Sequence, residues 1–405
     1  MSSKDGASYA GSESQADFGR DRVEIPGAIV EKFDSPTTPE DVCDVIKLAA
    51  KAETGLLIAG GRTRLHWANP ARNISAGLSL RSLSGVLEFE PEEGVLHAAA
   101  GTPIRVVQEI ANAESWELAL DSPGARSTLG GTIASAATGP RSHVFGRVSD
   151  VVLGLDIVGA DGVRSKCGGR VVKNVTGYDM AKLYCGSFGS LGVICGAWLR
   201  LRPLPPVREA YVLNLEPTSK NFEMIRVKAH GLTVRAVIWM QLPDADHAEV
   251  VVEFAGSSEG VAHDRGQFGS GLSWESVPLA RVDALRDERS ETRSDPVVMR
   301  VRVLGSKSGE MARMLLSLGF SVSIDPGIGV IHARGDVDQP GELLEIRTRA
   351  RRFGGLAFFE HLPRLWREQV DVFDDQGDGA SLGLRLKDRF DPARILNPGR
   401  YAGRV

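Results

Sequence analysis

The residues with the clearest chemical potential lie in a glycine-rich stretch between positions 168 and 194. It contains Gly168-Gly169-Arg170, Gly177-Tyr178-Asp179 and Gly186-Ser187-Phe188-Gly189, and it ends in Gly192-Val193-Ile194. Glycine at this density weakens both helix and strand, so it is kept where the backbone turns sharply or lies against a flat surface. Two more clusters, Gly60-Gly61 and Gly130-Gly131, each follow an apolar run. Together these clusters predict a site for a large cofactor that carries phosphate groups.

Neither of the common nucleotide-binding fingerprints is present in the sequence. No Gly-x-Gly-x-x-Gly follows the first predicted strand, and no P-loop pattern of two glycines, lysine and serine or threonine occurs. Taken singly, Gly60-Gly61-Arg62-Thr63 or Gly130-Gly131-Thr132 is more typical of an ordinary turn than of a binding loop. Taken together, such loops can bind a diphosphate through backbone N–H groups without a lysine. The Thr63 and Thr132 hydroxyls would add donors.

The apolar pattern predicts the elements that must hold these loops. Predicted strands are Leu56–Ala59, Ile74–Leu78, Val86–Phe89, Val95–Ala100 and Val151–Val158, and predicted helices are Val42–Glu53 and Thr102–Ala113. Asp161-Gly162 is typical of a hairpin turn. These elements favour an α+β domain in two subdomains, with the cofactor between them.

A second region begins after Leu204-Pro205-Pro206. Strand-like runs alternate there with helix-like runs, which favours a ferredoxin-like α+β cap with an antiparallel sheet. The predicted strands are Tyr211–Leu215, Val234–Met240, Glu249–Phe254, Val297–Val303 and Gly329–Ala333; the predicted helices are Glu223–Ala229, Lys307–Leu318 and Gly341–Arg352. The glycine- and serine-rich stretch from Gly256 to Gly271 predicts a loop. Leu382–Phe390 predicts a last helix.

Composition excludes several classes of function. At 405 residues the chain is too long for one ordinary core, and its net charge of −4 with a pI of about 6.1 does not favour nucleic-acid binding. No apolar run reaches the length of a membrane span. The polar residues from 1 to 22 lack an apolar signal region and predict a disordered tail. The four cysteines form no Cys-x-x-Cys pair and join no histidine cluster, so no metal site or iron–sulfur cluster is expected.

The order of the motifs resembles the FAD-binding domain of the vanillyl-alcohol oxidase and p-cresol methylhydroxylase superfamily, the PCMH type. Similar segments are Ser35–Val42, Leu56–Arg64, Asp121–Ala125, Thr128–Ala134 and Gly186–Ile194. The sharpest match is Phe390-Asp391-Pro392-Ala393-Arg394-Ile395-Leu396-Asn397-Pro398-Gly399-Arg400, which is similar to the closing motif of the 2-hydroxy-acid branch. Gly169–Asp179 most resembles the FAD-binding subunit of bacterial glycolate oxidases.

This resemblance implies a cofactor, a domain layout and a set of site residues. The cofactor would be FAD, held without a covalent bond because His66 is displaced from the usual tethering place. The layout would be a tail (1–22), a PCMH-type FAD-binding domain (23–205), a cap (206–355) and a C-terminal segment that returns to the FAD domain (356–405). The expected FAD-binding residues are Gly60, Gly61, Arg62, Thr63, Arg64, Pro123, Gly124, Ala125, Thr128, Gly130, Gly131, Thr132, Ala134, Ser135, Gly189, Gly192, Val193, Ile194 and Asn397.

The resemblance also implies hydride transfer from a 2-hydroxy acid to the flavin, with an arginine on the substrate carboxylate. The sequence departs from the family's catalytic pattern in two places. The cap segment Gly329–Arg334 has one histidine, His332, where the catalytic relatives have a histidine pair, and Phe359-Glu360-His361-Leu362 lacks the family's following glycine. We therefore expect an FAD-binding subunit of a glycolate-oxidase-type complex, with a larger flavin subunit and an iron–sulfur subunit as partners. The expected location is cytoplasmic, with peripheral attachment to the inner membrane through those partners.

Two alternatives remain open at this point. The chain could be a stand-alone flavin oxidoreductase in which Lys173, Tyr178 or His361 serves the substrate. It could also be a scaffold that holds flavin and stabilises its partner without turnover. The residues do not identify the catalytic side chains, and they do not identify the electron acceptor.

Overall fold

The computed structural model describes residues 22–170, 179–289, 297–374 and 378–404, which form a first lobe and a cap. The elements of the first lobe are β1 Val23–Ile25, β2 Ala28–Val30, β3 Phe33–Asp34, α1 Pro39–Lys51, β4 Gly55–Ala59, β5 Ile74–Ser79, β6 Val86–Glu90, β7 Val95–Ala99, α2 Ile104–Ala113, β8 Trp116–Leu118, α3 Leu129–Ser135, α4 Ser142–Phe145, α5 Val148–Val151, β9 Val152–Val158, β10 Arg164–Gly168, α6 Met180–Tyr184 and β11 Val193–Pro203. Short 3₁₀ turns span Leu65–Trp67 and Leu80–Ser82.

The first lobe contains two separate sheets. A parallel sheet has the strand order β3-β5-β4, and a six-stranded antiparallel sheet has the order β10-β9-β11-β7-β6 with β8 paired to β11. The predicted α+β lobe in two subdomains is therefore confirmed. The Gly60-Gly61 loop leaves the carboxyl end of β4, and Gly130-Gly131 lies in the first turn of α3, so the two glycine clusters meet between the sheets.

Helix α1 shows how local sequence sets an element's start. The Thr38 hydroxyl accepts the Asp41 N–H at 3.1 Å, and the Asp41 carboxylate accepts the Thr38 N–H at 3.0 Å. This reciprocal cap, together with Pro39 in the first turn, starts the helix three residues before the predicted Val42. Val42, Ile46 and Ala49 form the buried stripe that packs the helix onto the lobe.

The cap and the C-terminal segment contain the remaining elements. They are β12 Val207–Leu215, α7 Ser219–Lys228, β13 Val234–Gln241, β14 Ala248–Gly256, α8 Ser258–Gly269, β15 Glu275–Val277, α9 Ala280–Glu288, β16 Val297–Arg302, α10 Gly305–Ser317, β17 Ser321–Asp325, β18 Val330–Gly335, α11 Pro340–Arg352, β19 Leu356–His361, α12 Arg364–Gln369 and α13 Asp378–Phe390, followed by a 3₁₀ turn at Ala402–Arg404.

The cap is a ferredoxin-like unit present twice. Its eight-stranded antiparallel sheet has the order β15-β12-β14-β13-β17-β18-β16-β19. Strands β12 to β15 and strands β16 to β19 each follow the β-α-β-β-α-β succession with the same internal order, and β13 pairs with β17 to join the halves. The four helices α7, α8, α10 and α11 share a large apolar core with one face of the sheet. The other face is turned toward the first lobe.

The prediction of a loop from Gly256 to Gly271 is wrong, because helix α8 occupies most of this stretch. The Ser257 hydroxyl caps this helix by accepting the Gly260 N–H at 3.2 Å, and Val261 and Phe268 are buried against the cap sheet. Burial of two apolar side chains outweighs the low helix propensity of three internal glycines. Strands β15, β17 and β19 and helix α9 were not predicted, since each is short or carries polar residues on one face.

The C-terminal segment closes onto the first lobe. Its start, β19, pairs with β16 at the edge of the cap sheet, while Leu396 lies parallel to β4 at Leu56. The Leu56 N–H donates to Ile395 O at 2.7 Å, and the Asn397 N–H donates to Leu56 O at 3.0 Å. The fully buried Lys387 ammonium also donates to Ser190 O and to Leu396 O. The segment therefore spans both lobes.

Candidate functional site

The first two glycine clusters pack against each other. A Cβ on Gly60 would lie 2.2 Å from the Thr128 Oγ1, and a Cβ on Gly61 would lie 1.9 Å from the Arg126 carbonyl oxygen. Neither distance is possible for a real side chain, so only glycine allows the loop after β4 to approach the start of α3. The Thr128 hydroxyl also lies 3.4 Å from the Gly61 nitrogen, which donates to it.

Arg64 joins the first loop to the second. Its guanidinium donates to Pro123 O at 2.6 Å, to the Ser127 hydroxyl at 2.9 Å and to the Ser135 hydroxyl at 3.0 Å. A longer bond of 3.4 Å reaches the Thr132 hydroxyl. Burial lowers the pKa of Arg64 to about 10, so the side chain remains cationic at neutral pH. Because its donors bond to the loops themselves, Arg64 braces the loops rather than facing a ligand with a free guanidinium.

Asn397 ties the third glycine segment to the same place. Its carbonyl oxygen accepts the Ile58 N–H at 2.9 Å, and its amide donates to Phe188 O at 2.8 Å. The residue is buried and has a positive φ of 46°, a conformation that asparagine adopts more readily than most residues. A Cβ on Gly189 would lie 2.9 Å from the Asn397 amide nitrogen, so glycine is required opposite it.

These contacts form a small pocket at the end of β4. Among the predicted site residues, its walls contain Gly60, Gly61, Arg62, Thr63, Arg64, Thr128, Gly131, Ala134, Ser135 and Asn397, with Phe188 and Arg400 added. The other predicted residues do not line this pocket, namely Pro123, Gly124, Ala125, Gly130, Thr132, Gly189, Gly192, Val193 and Ile194. Tertiary structure thus brings together four segments of the chain that are up to 337 positions apart, from Gly60 to Asn397.

A larger cleft opens from the pocket between the first lobe and the cap. Its volume is about 880 Å³, and Ser135 and Phe188 line both spaces. This volume is typical of sites for small molecules and cofactors. Four cationic side chains, Arg147, Lys182, Arg300 and Arg302, line the cleft together with the acids Asp150 and Asp374. The excess of cations favours an anionic ligand.

A buried polar cluster lies on the cap side of this cleft. Arg300 of β16 has its Nε 3.6 Å from Glu360 Oε1, and His332 of β18 has its Nδ1 3.9 Å from Glu360 Oε2. Glu360 is only 1% exposed, and within the described part of the chain neither of its oxygens accepts a hydrogen bond. Burial raises the pKa of Glu360 although Arg300, Arg289 and Arg334 oppose the rise, and burial holds the pKa of His332 well below its usual range.

The cluster continues across the lobe boundary through Trp67. The Arg64 guanidinium carbon lies 5.7 Å from the centre of the Trp67 ring, and that of Arg300 lies 5.5 Å from it. Arg289 is buried at 6% exposure, and its Nε and Nη2 have no acceptor among the residues that the structure describes. Such uncompensated groups are rare in protein interiors and concentrate at functional sites.

Sequence reasoning missed Arg289 and Arg300. The signal for Arg300 was present in the β16 segment Val297-Val298-Met299-Arg300-Val301-Arg302, where arginine alternates with apolar residues. Alternation places Arg300 and Arg302 on the face opposite the apolar core, and that face is the one turned toward the first lobe. Nothing in the sequence pattern marked Arg289.

Comparisons with known proteins agree with this geometry. The FAD binding domain family matches residues 31–168. A D-lactate dehydrogenase of Archaeoglobus fulgidus is 31% identical over 407 residues, which cover 91% of each chain. The chain belongs to the PCMH-type family of FAD-binding proteins.

Two further similarities bear on this PCMH-type protein. The glycolate oxidase subunit GlcE of Escherichia coli K12 is 32% identical over 162 residues, which cover 40% of this chain and 46% of that subunit. The chain therefore matches about half of that relative's length. A solved structure of alkyldihydroxyacetonephosphate synthase superposes with a TM-score of 0.64 at 17% identity, over 91% of this chain and 76% of that one. That likeness concerns the fold alone.

FAD is the cofactor of this PCMH-type chain, and the site fits the cofactor in size and character. The glycine loops expose backbone at positions where a Cβ atom would clash. The adjoining cleft has the volume and the positive charge that a diphosphate-bearing cofactor and an anionic substrate need. The residues expected to hold FAD are those that line the pocket, and these assignments stay predictions.

Further predictions from the sequence concern the Gly169–Asp179 motif, covalent attachment of FAD, metal ions and membrane spans. Lys173, Tyr178 and most of the Gly169–Asp179 motif lie outside the described residues. His66 has a pKa lowered to about 3, because it is buried and because His361 and three arginines lie near it. In the described ranges, no three His, Cys, Asp or Glu side chains are arranged to hold a metal ion. No helix in the described part of the chain has both the length and the apolar character needed to cross a membrane.

Proposed function

We propose that this protein oxidises a 2-hydroxy acid by hydride transfer to FAD in the cleft between the lobes, as the FAD-binding subunit of a glycolate-oxidase-type complex. The observation that carries the proposal is the buried cluster of Arg300, His332 and Glu360 on the cap, in which Arg300 lines the cleft and has its Nε 3.6 Å from Glu360 Oε1. Names of related proteins, a glycolate oxidase subunit and a D-lactate dehydrogenase, support the same substrate class.

The cluster has the side chains that this reaction requires. An arginine can hold the substrate carboxylate through two parallel hydrogen bonds, and Arg300 lines the cleft with 22% of its side chain exposed. Glu360 has a raised pKa, and no described residue donates a hydrogen bond to its two oxygens, so it can accept the substrate's hydroxyl proton. His332, which is neutral at physiological pH, would orient that carboxylate. When bound, FAD supplies the acceptor for the hydride.

The complex is the finer part of the proposal. Its partners would be a larger flavin subunit and an iron–sulfur subunit that receives the electrons, on the inner face of the membrane. The E. coli relative is named as a subunit, which supports this arrangement. The FAD is proposed to be non-covalent, because His66 lies beside His361, with ring centres 6.3 Å apart, and not on the walls of the glycine pocket.

A stand-alone hydroxy-acid dehydrogenase is the second candidate. It is favoured by the Archaeoglobus relative, which is named as a D-lactate dehydrogenase and aligns along 91% of both chains. A scaffold that holds FAD without turnover is the third candidate, and the charged cluster behind Arg300, which lines the cleft, weighs against it.

The decisive experiment is a visible absorption spectrum of the purified protein before and after anaerobic addition of glycolate or D-lactate. Flavin bands that bleach would mean that the isolated chain oxidises the acid and would favour the stand-alone enzyme. Bands that bleach only after partner subunits are added would support the complex. Bands that persist in the reconstituted complex, with no effect of Glu360→Gln on its turnover, would contradict oxidation at this cleft.

A further inference from the structure

The cap helix α9 contacts the second predicted flavin loop, Asp121–Ala125, directly. Asp287, in the last turn of α9, accepts the Gly124 backbone N–H at 2.9 Å through its Oδ1. Arg286 donates to the same carboxylate oxygen at 2.9 Å and so fixes its orientation. A backbone N–H of the first lobe is therefore satisfied by a side chain of the cap.

The same loop is held a second time at Asp121. Arg141 donates to the Asp121 carboxylate at 3.1 Å, and Arg286 of the cap lies 3.5 Å from it. Arg141 also donates to Glu253 and Asp283 of the cap, both at 2.7 Å. Burial alone would raise the pKa of Asp121, but Arg141 and Arg286 outweigh it and hold that pKa below its usual range.

A third anchor lies just upstream. Glu117 of β8 pairs with the buried Arg235 of the cap and, at 2.7 Å, with Arg202 of β11. Glu117, Asp121 and Gly124 are thus all bound to cap residues within eight positions of the chain. We call Arg235, Asp283, Arg286 and Asp287, together with Arg141 and Glu253, the interlobe clamp.

The opposite side of the loop bonds to the glycine pocket. Pro123 O accepts from Arg64, and the Ser122 hydroxyl accepts from the Thr132 hydroxyl at 2.9 Å. The loop is therefore fixed between the cap on one side and the FAD pocket on the other. Any shift of α9 would be transmitted through Gly124 and Pro123 to Arg64, which braces both glycine loops.

We infer that the cap is a structural part of the FAD site, and that Asp287 is a positioning residue whose hydrogen bond to Gly124 sets the affinity for FAD. This inference rests on the FAD cofactor and not on the proposed oxidation, because it concerns binding alone. It holds equally for a complex subunit, a stand-alone enzyme and a scaffold. FAD affinity is thereby linked to the docking of a domain that is separate in the chain.

Three variants of the full-length chain test the inference. Asp287→Ala removes the acceptor of the Gly124 N–H. Asp287→Asn keeps an oxygen in the same position and is the conservative rescue. Arg281→Ala is the matched control, because it breaks a hydrogen-bonded ion pair of the same helix, to Glu249 at 2.6 Å, that does not involve the loop. For each, FAD is titrated into apoprotein with the dissociation constant read from flavin fluorescence, and the apoprotein's thermal midpoint is measured separately.

We expect the dissociation constant for FAD to be about tenfold larger in Asp287→Ala than in the wild type. The reason is the loss of one charge-assisted hydrogen bond that orders the site. Asp287→Asn should lie within about threefold of the wild type, and Arg281→Ala should match it. The inference is overturned if Asp287→Ala binds FAD as the wild type does. It is equally overturned if Asp287→Ala and Arg281→Ala weaken FAD binding to the same extent, because a general loss of helix stability would then suffice.

Discussion

Arginine has two opposite roles in this protein, and the partners of its guanidinium group decide between them. Arg64 is buried with hydroxyl and carbonyl acceptors around it, so its charge serves to hold two loops together. Arg300 has one carboxylate beside it and a cleft in front of it. Arg289 is buried, and two of its nitrogens have no acceptor in the described ranges of the chain. Residue type alone does not distinguish a brace from a ligand-binding group.

At the scale of single residues, we predict that Glu360→Gln abolishes proton acceptance while FAD remains bound. The rate of anaerobic flavin reduction by the substrate should fall about 100-fold or more, the usual contribution of a general base. In the wild type this rate should rise with pH through a pKa above that of an ordinary glutamate, because burial raises the pKa of Glu360. Stopped-flow absorbance across pH 5 to 9 measures both. An unchanged rate and pH profile in Glu360→Gln would remove Glu360 from the mechanism.

A second residue-scale prediction concerns the pH dependence of stability at Asp325. Burial raises the pKa of Asp325 to about 7, with Arg289 opposing, from an ordinary value of 3.8. The folded chain therefore retains this proton more tightly than the unfolded chain does, and its stability falls as pH rises from about 4 through 7. Asp325→Asn removes this loss.

Chemical denaturation of both chains at pH 5 and at pH 8 checks this prediction. The stability of Asp325→Asn relative to the wild type should increase by about 2–3 kcal/mol between these two pH values. His143, whose Nδ1 lies 3.7 Å from Asp325, is present in both the wild type and Asp325→Asn. The assignment fails if the difference between the two chains does not vary with pH.

At the scale of elements, the glycine clusters are explained by loop packing as much as by the cofactor. Gly60 and Gly61 face Thr128 and Arg126 so closely that a methyl group has no room. The loops must therefore meet before they can surround a ligand. The sequence pattern of these glycines is compatible with loop packing and with cofactor binding. Only the contacts in the structure distinguish these two causes.

We predict that Gly61→Ala forces the two loops apart. The free energy of unfolding should fall by about 1–3 kcal/mol, as for other insertions into packed regions, and FAD affinity should fall with it. Urea unfolding and FAD titration measure the two effects. Gly341→Ala in α11 is the control, since a Cβ there meets nothing within 4 Å; it should leave FAD binding unchanged. Wild-type stability in Gly61→Ala would show that the loops tolerate separation.

At the scale of the whole molecule, charges rather than apolar surface connect the lobes at the interlobe clamp. Glu253 of β14 is fully buried and accepts from Arg141 of the first lobe and from Arg208 of the cap, at 2.7 and 2.9 Å. Arg235 lies 3.4 Å away. The negative charge of this buried carboxylate offsets the cost of removing the arginine charges from water.

We predict that Glu253→Gln destabilises the protein by about 3–5 kcal/mol, because the buried guanidinium groups of Arg141 and Arg235 and the partly exposed one of Arg208 lose their shared anion. Glu249→Gln on the same strand should change stability by at most about 1 kcal/mol, since its pair with Arg281 is partly exposed. Guanidinium-induced unfolding followed by tryptophan fluorescence compares them. Equal stabilities of the two variants would mean that the clamp contributes no more than a surface ion pair.

Much of the fold and part of the site could be predicted from the sequence. Strands β4, β5, β7 and β9 and helices α1 and α2 lie within a few residues of their predictions, because periodic burial and caps such as Thr38 act locally. Helix α8 could not be predicted, since its glycine-rich sequence gains stability only when Val261 and Phe268 pack onto the sheet. The duplication of the cap is invisible in the sequence, because the two halves share an arrangement and not a motif.

The sequence by itself determined the family, the cofactor and the three loops, because glycine and proline restrict the backbone at the position where they occur. Tertiary structure decided what the charged residues do. Arg64, Glu360 and Asp287 gain their roles from partners at Pro123, Arg300 and Gly124, which are distant in the chain. The role of a charged residue cannot be read from the sequence alone, because its electrostatic energy depends on its burial and on the partner that the fold places beside it.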